Sequence, residues 1–123
     1  MSAINADTGG LLVGGGATVS QNTPDLVNPD GRGLKLFVNM SAAGTGSVTI
    51  TIQGKDPTSG NYYTILASAA IVANGFTIYT VYPGAPATAN VSANDILPRT
   101  WRVLATANNA NPTTYTVSAS VIV

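Results

Sequence analysis

The stretch Leu34-Lys35-Leu36-Phe37-Val38-Asn39-Met40 decides the fold. Leu34, Leu36, Val38 and Met40 alternate with Lys35, Phe37 and Asn39, a period of two, which is the pattern of a strand with one face on a core. The same period recurs outward from it. Val48, Ile50 and Ile52 alternate with Thr49, Thr51 and Gln53, and a strand resumes from Tyr62 to Leu66. Phe76, Ile78 and Thr80 alternate with Thr77, Tyr79 and Val81. Trp101, Val103 and Ala105 alternate with Arg102, Leu104 and Thr106, and Tyr115, Val117, Ala119 and Val121 with Thr116, Ser118 and Ser120. The first-named set of each strand is expected to face inward.

Turn chemistry separates these runs. Lys55-Asp56-Pro57-Thr58-Ser59-Gly60-Asn61 joins two of them, because Pro presets φ and Gly supplies positive φ. Asn74-Gly75, Pro83-Gly84-Ala85-Pro86 and Asn108-Asn109-Ala110-Asn111-Pro112 punctuate the rest, and a longer connection runs from Ala87 to Pro98. No window carries 3.6-residue spacing with caps; Ala67–Ala73 is too short and runs into Asn-Gly. Six to eight short strands at this spacing predict an all-β fold, an antiparallel β-sandwich of jelly-roll or immunoglobulin-like type, over residues 31–123. Residues 1–30 differ. They hold Gly9, Gly10, Gly14, Gly15, Gly16, Pro24 and Pro29 around the apolar patch Leu11-Leu12-Val13, and predict an N-terminal arm with one short strand near Ala17–Gln21.

The charge count restricts function. Only 8% of the 123 residues are charged, with five Lys+Arg balancing five Asp+Glu, against about 25% in an ordinary domain. All five acids are Asp. From Pro57 to Asn94, and from Val103 onward, Tyr is the only ionisable side chain. A neutral chain carries no electrostatic footprint for nucleic acid or an anionic membrane. No secretory signal is seen at Met1-Ser2-Ala3-Ile4-Asn5, and the longest apolar run, Ile65–Ala73, is far below the ~20 residues that span a bilayer. The expectation is a protein made in a cytoplasm. A domain near zero net charge tends to self-associate. The composition therefore predicts a surface that lies against other protein, with a homo-oligomer expected.

Catalytic readings find little support. The chain has no Cys and no His, which removes thiol nucleophiles, imidazole triads and nearly every zinc site. Gly14-Gly15-Gly16 lacks the Lys of a phosphate-binding loop. Asn28-Pro29-Asp30-Gly31 set in a calcium-loop register places Leu26 and Phe37 where Asp and Glu are needed. Asp7, Asp25, Asp30, Asp56 and Asp95 sit in arm or turn segments, where Asp bonds its own backbone, rather than as a catalytic pair. The expectation is no enzyme, no cofactor and no metal. Tyr62, Tyr63, Tyr79, Tyr82 and Trp101 raise a sugar-stacking platform as an alternative, although Tyr62 and Tyr63, like Tyr79 and Tyr82, fall on opposite faces. The candidate interface residues are the apolar arm positions Ile4, Leu11, Leu12 and Val13, with Arg99 and Trp101 as the residue types that dominate hot spots. A core Trp101 with Arg99 at its rim is the competing reading of that pair.

The runs Gly31-Arg32-Gly33-Leu34-Lys35-Leu36-Phe37-Val38, Val48-Thr49-Ile50-Thr51-Ile52-Gln53-Gly54-Lys55-Asp56-Pro57, Tyr63-Thr64-Ile65-Leu66, Val81-Tyr82-Pro83-Gly84 and Leu97-Pro98-Arg99-Thr100-Trp101-Arg102-Val103 resemble small virion structural proteins of tailed bacteriophages. The likeness covers roughly Gly31 to Val123 and contains no catalytic motif. It implies a structural component of the particle, of the head decoration (cement) type, with the major capsid protein or other virion subunits as partners and the virion as location. A tail or head-tail junction component is the nearest alternative, and a carbohydrate-binding module the alternative from another class.

Overall fold

The computed structural model describes residues 6–17, 19–28 and 31–122. Among them the chain is all β. The strands are β1 (Ala6–Ala17), β2 (Gln21–Asn22), β3 (Leu26–Val27), β4 (Gly33–Ala42), β5 (Val48–Lys55), β6 (Tyr62–Ala67), β7 (Gly75–Val81), β8 (Ser92–Ala93), β9 (Thr100–Ala107) and β10 (Thr113–Ile122). One sheet runs β1-β10-β4-β7-β8, and the other runs β2-β9-β5-β6 with β3 also on β9. All pairings are antiparallel except the short parallel β7–β8 contact.

The pairings β1 with β10, β2 and β3 with β9, β4 with β7 and β5 with β6 nest inside one another. The chain is one long hairpin folded over on itself into two sheets, which is a jelly roll rather than an immunoglobulin-like order. Its tip is the β5–β6 turn. Asp56 N–H donates to Asn61 O (2.8 Å), Gly60 N–H to Asp56 O (2.9 Å), and Gly60 takes the positive φ of 79° that this turn requires.

The core lies between the inner faces. Leu34, Leu36, Val38 and Met40 of β4, with Tyr115, Val117, Ala119 and Val121 of β10, meet Val48, Ile50 and Ile52 of β5 and Trp101, Val103 and Ala105 of β9. The period of two placed these faces correctly. On β7 the expected face is inverted. Leu34 pairs with Val81 and Leu36 with Tyr79, and directly paired residues share a face, so Tyr79 and Val81 go inward. Phe76, Ile78 and Thr80 therefore point out, with Phe76 63% and Ile78 41% exposed. Both faces of β7 carry apolar residues, so its own pattern left the choice open.

The N-terminal segment also departs from expectation. Residues 6–17 are an edge strand of the first sheet, with Ala6 opposite Val121, Leu12 opposite Val117 and Val13 opposite Thr116, and register shifts between Thr8 and Leu12 and between Gly14 and Ala17. Glycine-rich sequence lowers strand propensity, but β10 supplies a ladder partner at both ends and in the middle of the segment, and the register shifts absorb the irregular spacing. The expected short strand at Ala17–Gln21 is displaced to Gln21–Asn22, on β9.

Candidate interaction surface

The two outer faces differ in chemistry. On the second sheet the polar groups satisfy one another. Lys55 Nζ donates to Asp25 Oδ2 (2.7 Å) and Tyr62 Oη to Asp25 Oδ1 (2.6 Å). The Arg102 guanidinium lies 3.4 Å from the Tyr62 ring centroid, and its Nε donates to Gln53 Oε1 (2.9 Å). The hydrogen bonds from Lys55 and then Tyr62 hold the Asp25 carboxyl below its usual value, and the same bond to Asp25 raises the Lys55 ammonium. Asp25 is the exception to the expected turn behaviour; its partners lie 30 and 37 residues away, beyond any local signal. Asp56 behaves as read, accepting from Thr58 N–H (3.1 Å) and Ser59 Oγ (2.6 Å).

The first sheet presents an apolar strip instead. The Phe37 and Phe76 rings stack with centroids 6.2 Å apart and planes 5° from parallel. Ile78 is the register partner of Phe37, so the three form one patch across β4 and β7. β10 continues that outer face with Thr116, Ser118 and Ser120. Beside the patch, Leu34, Lys35, Thr80, Tyr82, Ala85 and Ile122 line a recess of about 270 Å³. Lys35 lies over its rim with Nζ 3.4 Å from Thr80 Oγ1. Of the exposed large apolar side chains among the described residues, Val72, Phe76, Ile78 and Val91 all belong to β7 or the segments that flank it. Surface apolar residues scattered singly need no explanation, but a contiguous apolar group on a face with little charge is the usual mark of a contact surface.

The residues named from the sequence do not converge on this patch. Ile4 lies outside the described residues. Leu11, Leu12 and Val13 belong to β1, whose backbone is paired with β10 at the far edge of the same sheet. Trp101 is 3% exposed on the inner face of β9, so it is a core residue and is withdrawn as an interface anchor. Its Nε1–H meets no acceptor among the described residues. Arg99 stands just before β9 and is exposed, apart from the patch residues, with its carbonyl taken by Asn28 N–H (2.7 Å). The patch was missed because it depends on the β4–β7 register, which only the assembled sheet sets.

The aromatic residues form no common platform. Tyr79 and Trp101 are buried, Tyr82 lines the recess, Tyr62 carries Arg102 on its ring, and Tyr63 lies against Gly54 on the neighbouring strand. Among the described residues no cluster of three His, Cys, Asp or Glu side chains is placed to hold a metal.

No family model matches the chain, and no curated protein matches it. Solved structures do. The SPBc2 prophage-derived protein YomS superposes with a TM-score of 0.54 at 12% identity, over 95% of this chain and 91% of that one. A carbohydrate-binding module specific for non-crystalline cellulose, CBM28, gives 0.45 at 14% identity over 94% and 71%. The Yersinia pseudotuberculosis-derived mitogen gives 0.41 at 13% identity over 97% and 86%. At these identities the likeness to YomS is one of fold.

Proposed function

We propose that this chain is a non-enzymatic structural protein of a phage particle, which decorates the assembled head through the outer face of its β1-β10-β4-β7-β8 sheet. The observation that carries the reading is the open Phe37–Phe76–Ile78 strip on an outer face where, across β10, β4 and β7, Lys35 is the charged residue, beside a recess sized for an apolar side chain of a partner. Interfaces gather their energy at such central apolar anchors and leave charge at the rim. The resemblance of residues 31–123 to virion proteins supports the reading, and a prophage-derived protein with the same fold is in keeping with it.

The mechanism is mass action. A protein that binds the closed lattice and not the loose subunits stabilises the lattice by its binding free energy, and each added copy contributes again. Contacts to two or three capsid subunits per copy raise the effective concentration, so each contact can be weak. With so little charge at the surface, occupancy should change little between low and physiological salt.

The test is occupancy on purified particles of the encoding phage. Heads stripped of this protein and re-incubated with it should take up hundreds of copies by gel densitometry. The Phe76→Ser, Ile78→Ser double variant should lose most of that uptake while melting at nearly the same temperature, since both side chains are already exposed. A few to tens of copies per particle would instead assign a tail or head-tail junction. Absence from the particle would overturn the reading.

A further inference from the structure

Strand β7 has an open edge. One side pairs with β4 from Gly75 to Val81. On the other side β8 reaches only Thr80 and Val81. Thr80 N–H donates to Val91 O (3.2 Å) and Tyr82 N–H to Ala93 O (3.1 Å), so the backbone groups of these alternate residues point away from β4. In a strand the N–H and C=O of one residue point the same way and the direction alternates along the chain. Phe76 and Ile78 therefore aim their N–H and C=O groups outward along the same edge, beyond the end of β8. No described residue pairs with them there.

Edges of this kind are normally blunted by lysine, proline or a bulge, because they template pairing with another chain. β7 carries none of the three. Its sequence is Gly-Phe-Thr-Ile-Tyr-Thr-Val, its register on β4 is continuous, and no Lys, Arg, Asp or Glu lies between Pro57 and Asn94.

We propose that this edge pairs with the same edge of a second copy, antiparallel, about a two-fold axis at Thr77. The geometry is self-complementary. Phe76 and Ile78 flank Thr77 symmetrically, so the axis sets Phe76 of one copy opposite Ile78 of the other, and each such pair exchanges both hydrogen bonds. All the outward groups of both residues are then met. The side chains follow: Phe76 packs beside Ile78 of the second copy on the outer face, and the strip of one molecule runs into the strip of the other. An aromatic beside a β-branched residue is a favourable cross-strand pair.

Charge permits the approach. The basic residue on this face is Lys35, opposite Thr80 on β4. From strand spacing and rise, the two lysines would stand about 25 Å apart, roughly three Debye lengths at physiological salt. The pairing also limits itself. β8 occupies the edge at Thr80 and Val81, and at the other end Asn74 turns away, its Oδ1 accepting from Ala43 N–H (2.8 Å). Only residues 75–79 of each copy are available, which closes a dimer and leaves no free β7 edge to propagate a fibre.

This goes beyond the capsid reading and is measured without a capsid. Sedimentation of the full chain between about 10 µM and about 1 mM should show monomer passing to dimer. Over that range the amides of Phe76 and Ile78 should slow in hydrogen exchange by about tenfold or more, while those of Thr77 and Tyr79, bonded to β4, stay protected throughout. Ile78→Pro removes an outward N–H that the molecule's own fold does not use, a substitution edge strands accept. It should keep the chain monomeric with its melting temperature held within a few degrees. Should that variant misfold, Phe76→Lys leaves the backbone intact, adds charge at the contact and should also give monomer. A wild-type chain still monomeric at the upper concentration overturns the proposal. So does a dimer in which the Phe76 and Ile78 amides exchange freely or which survives both substitutions, and so does protection of those amides in the monomer.

Discussion

Asn28 joins two loops through one side chain. Its Nδ2 donates to Gly31 O (2.9 Å) and Leu97 O (3.1 Å), its Oδ1 accepts from Gly31 N–H (2.7 Å), and the residue is 5% exposed. Asn28→Ala leaves those groups unmet in a place with little water. At about 1–3 kcal/mol for each buried unmet group, partly relaxed, the variant should lose about 2–3 kcal/mol, or about 10 °C in a thermal melt. The carboxylates predict an acid limb. Asp25 and Asp56 are both held below the ordinary 3.8, by Lys55 and Tyr62 in one case and by Ser59 and the Thr58 N–H in the other. A group depressed in the folded state adds stability above its unfolded value and loses it as pH falls through the folded one. Urea midpoints should thus be flat above about pH 5 and decline below about pH 4. Both groups lie at the surface, where solvent screens them, so the decline should be shallow, and shallower still in Asp25→Asn. Of these residues only Asp56 was legible in the sequence, because its partners lie two and three positions away. Asn28 reads as an ordinary turn residue until the partner at Leu97 is known.

The strands show where sequence patterning succeeds and where it stops. β4, β5, β9 and β10 each place apolar residues on one side and mostly polar ones on the other, so their facing was fixed locally. β7 has Phe and Ile on one side and Tyr and Val on the other, and its neighbour β4 decides. That inversion is also why the exposed apolar patch was not foreseen. β1 is the second case. Five glycines in twelve residues argue against a strand, yet the ladder to β10 runs almost its full length. Deleting residues 2–16 therefore removes an edge strand of the sandwich, not a loose arm. The truncated chain should melt several degrees lower and, with β10 newly exposed as an edge, should aggregate more readily on heating, as light scattering would show.

At the scale of the molecule, jelly-roll nesting brings the earliest strand against the latest, and this bears on the order in which the chain can be assembled. The innermost pair, β5 and β6, can close across a six-residue turn as soon as it is made. Each outer pair needs a longer loop closed first. β1 stands last: its ladder partner lies about a hundred residues downstream, the costliest closure in the molecule. At roughly 5–20 residues per second on a ribosome, β1 waits roughly 5–20 s with its backbone unpaired. A valine- and isoleucine-rich strand held open that long in a crowded polysome would find the wrong partner, since such segments seed intermolecular sheets. The glycines that make β1 a poor strand in isolation make it a safe one to synthesise early. It is expected to acquire regular structure only when β10 arrives as its template, so a glycine-rich, weakly sheet-forming sequence occupies the strand with the longest wait.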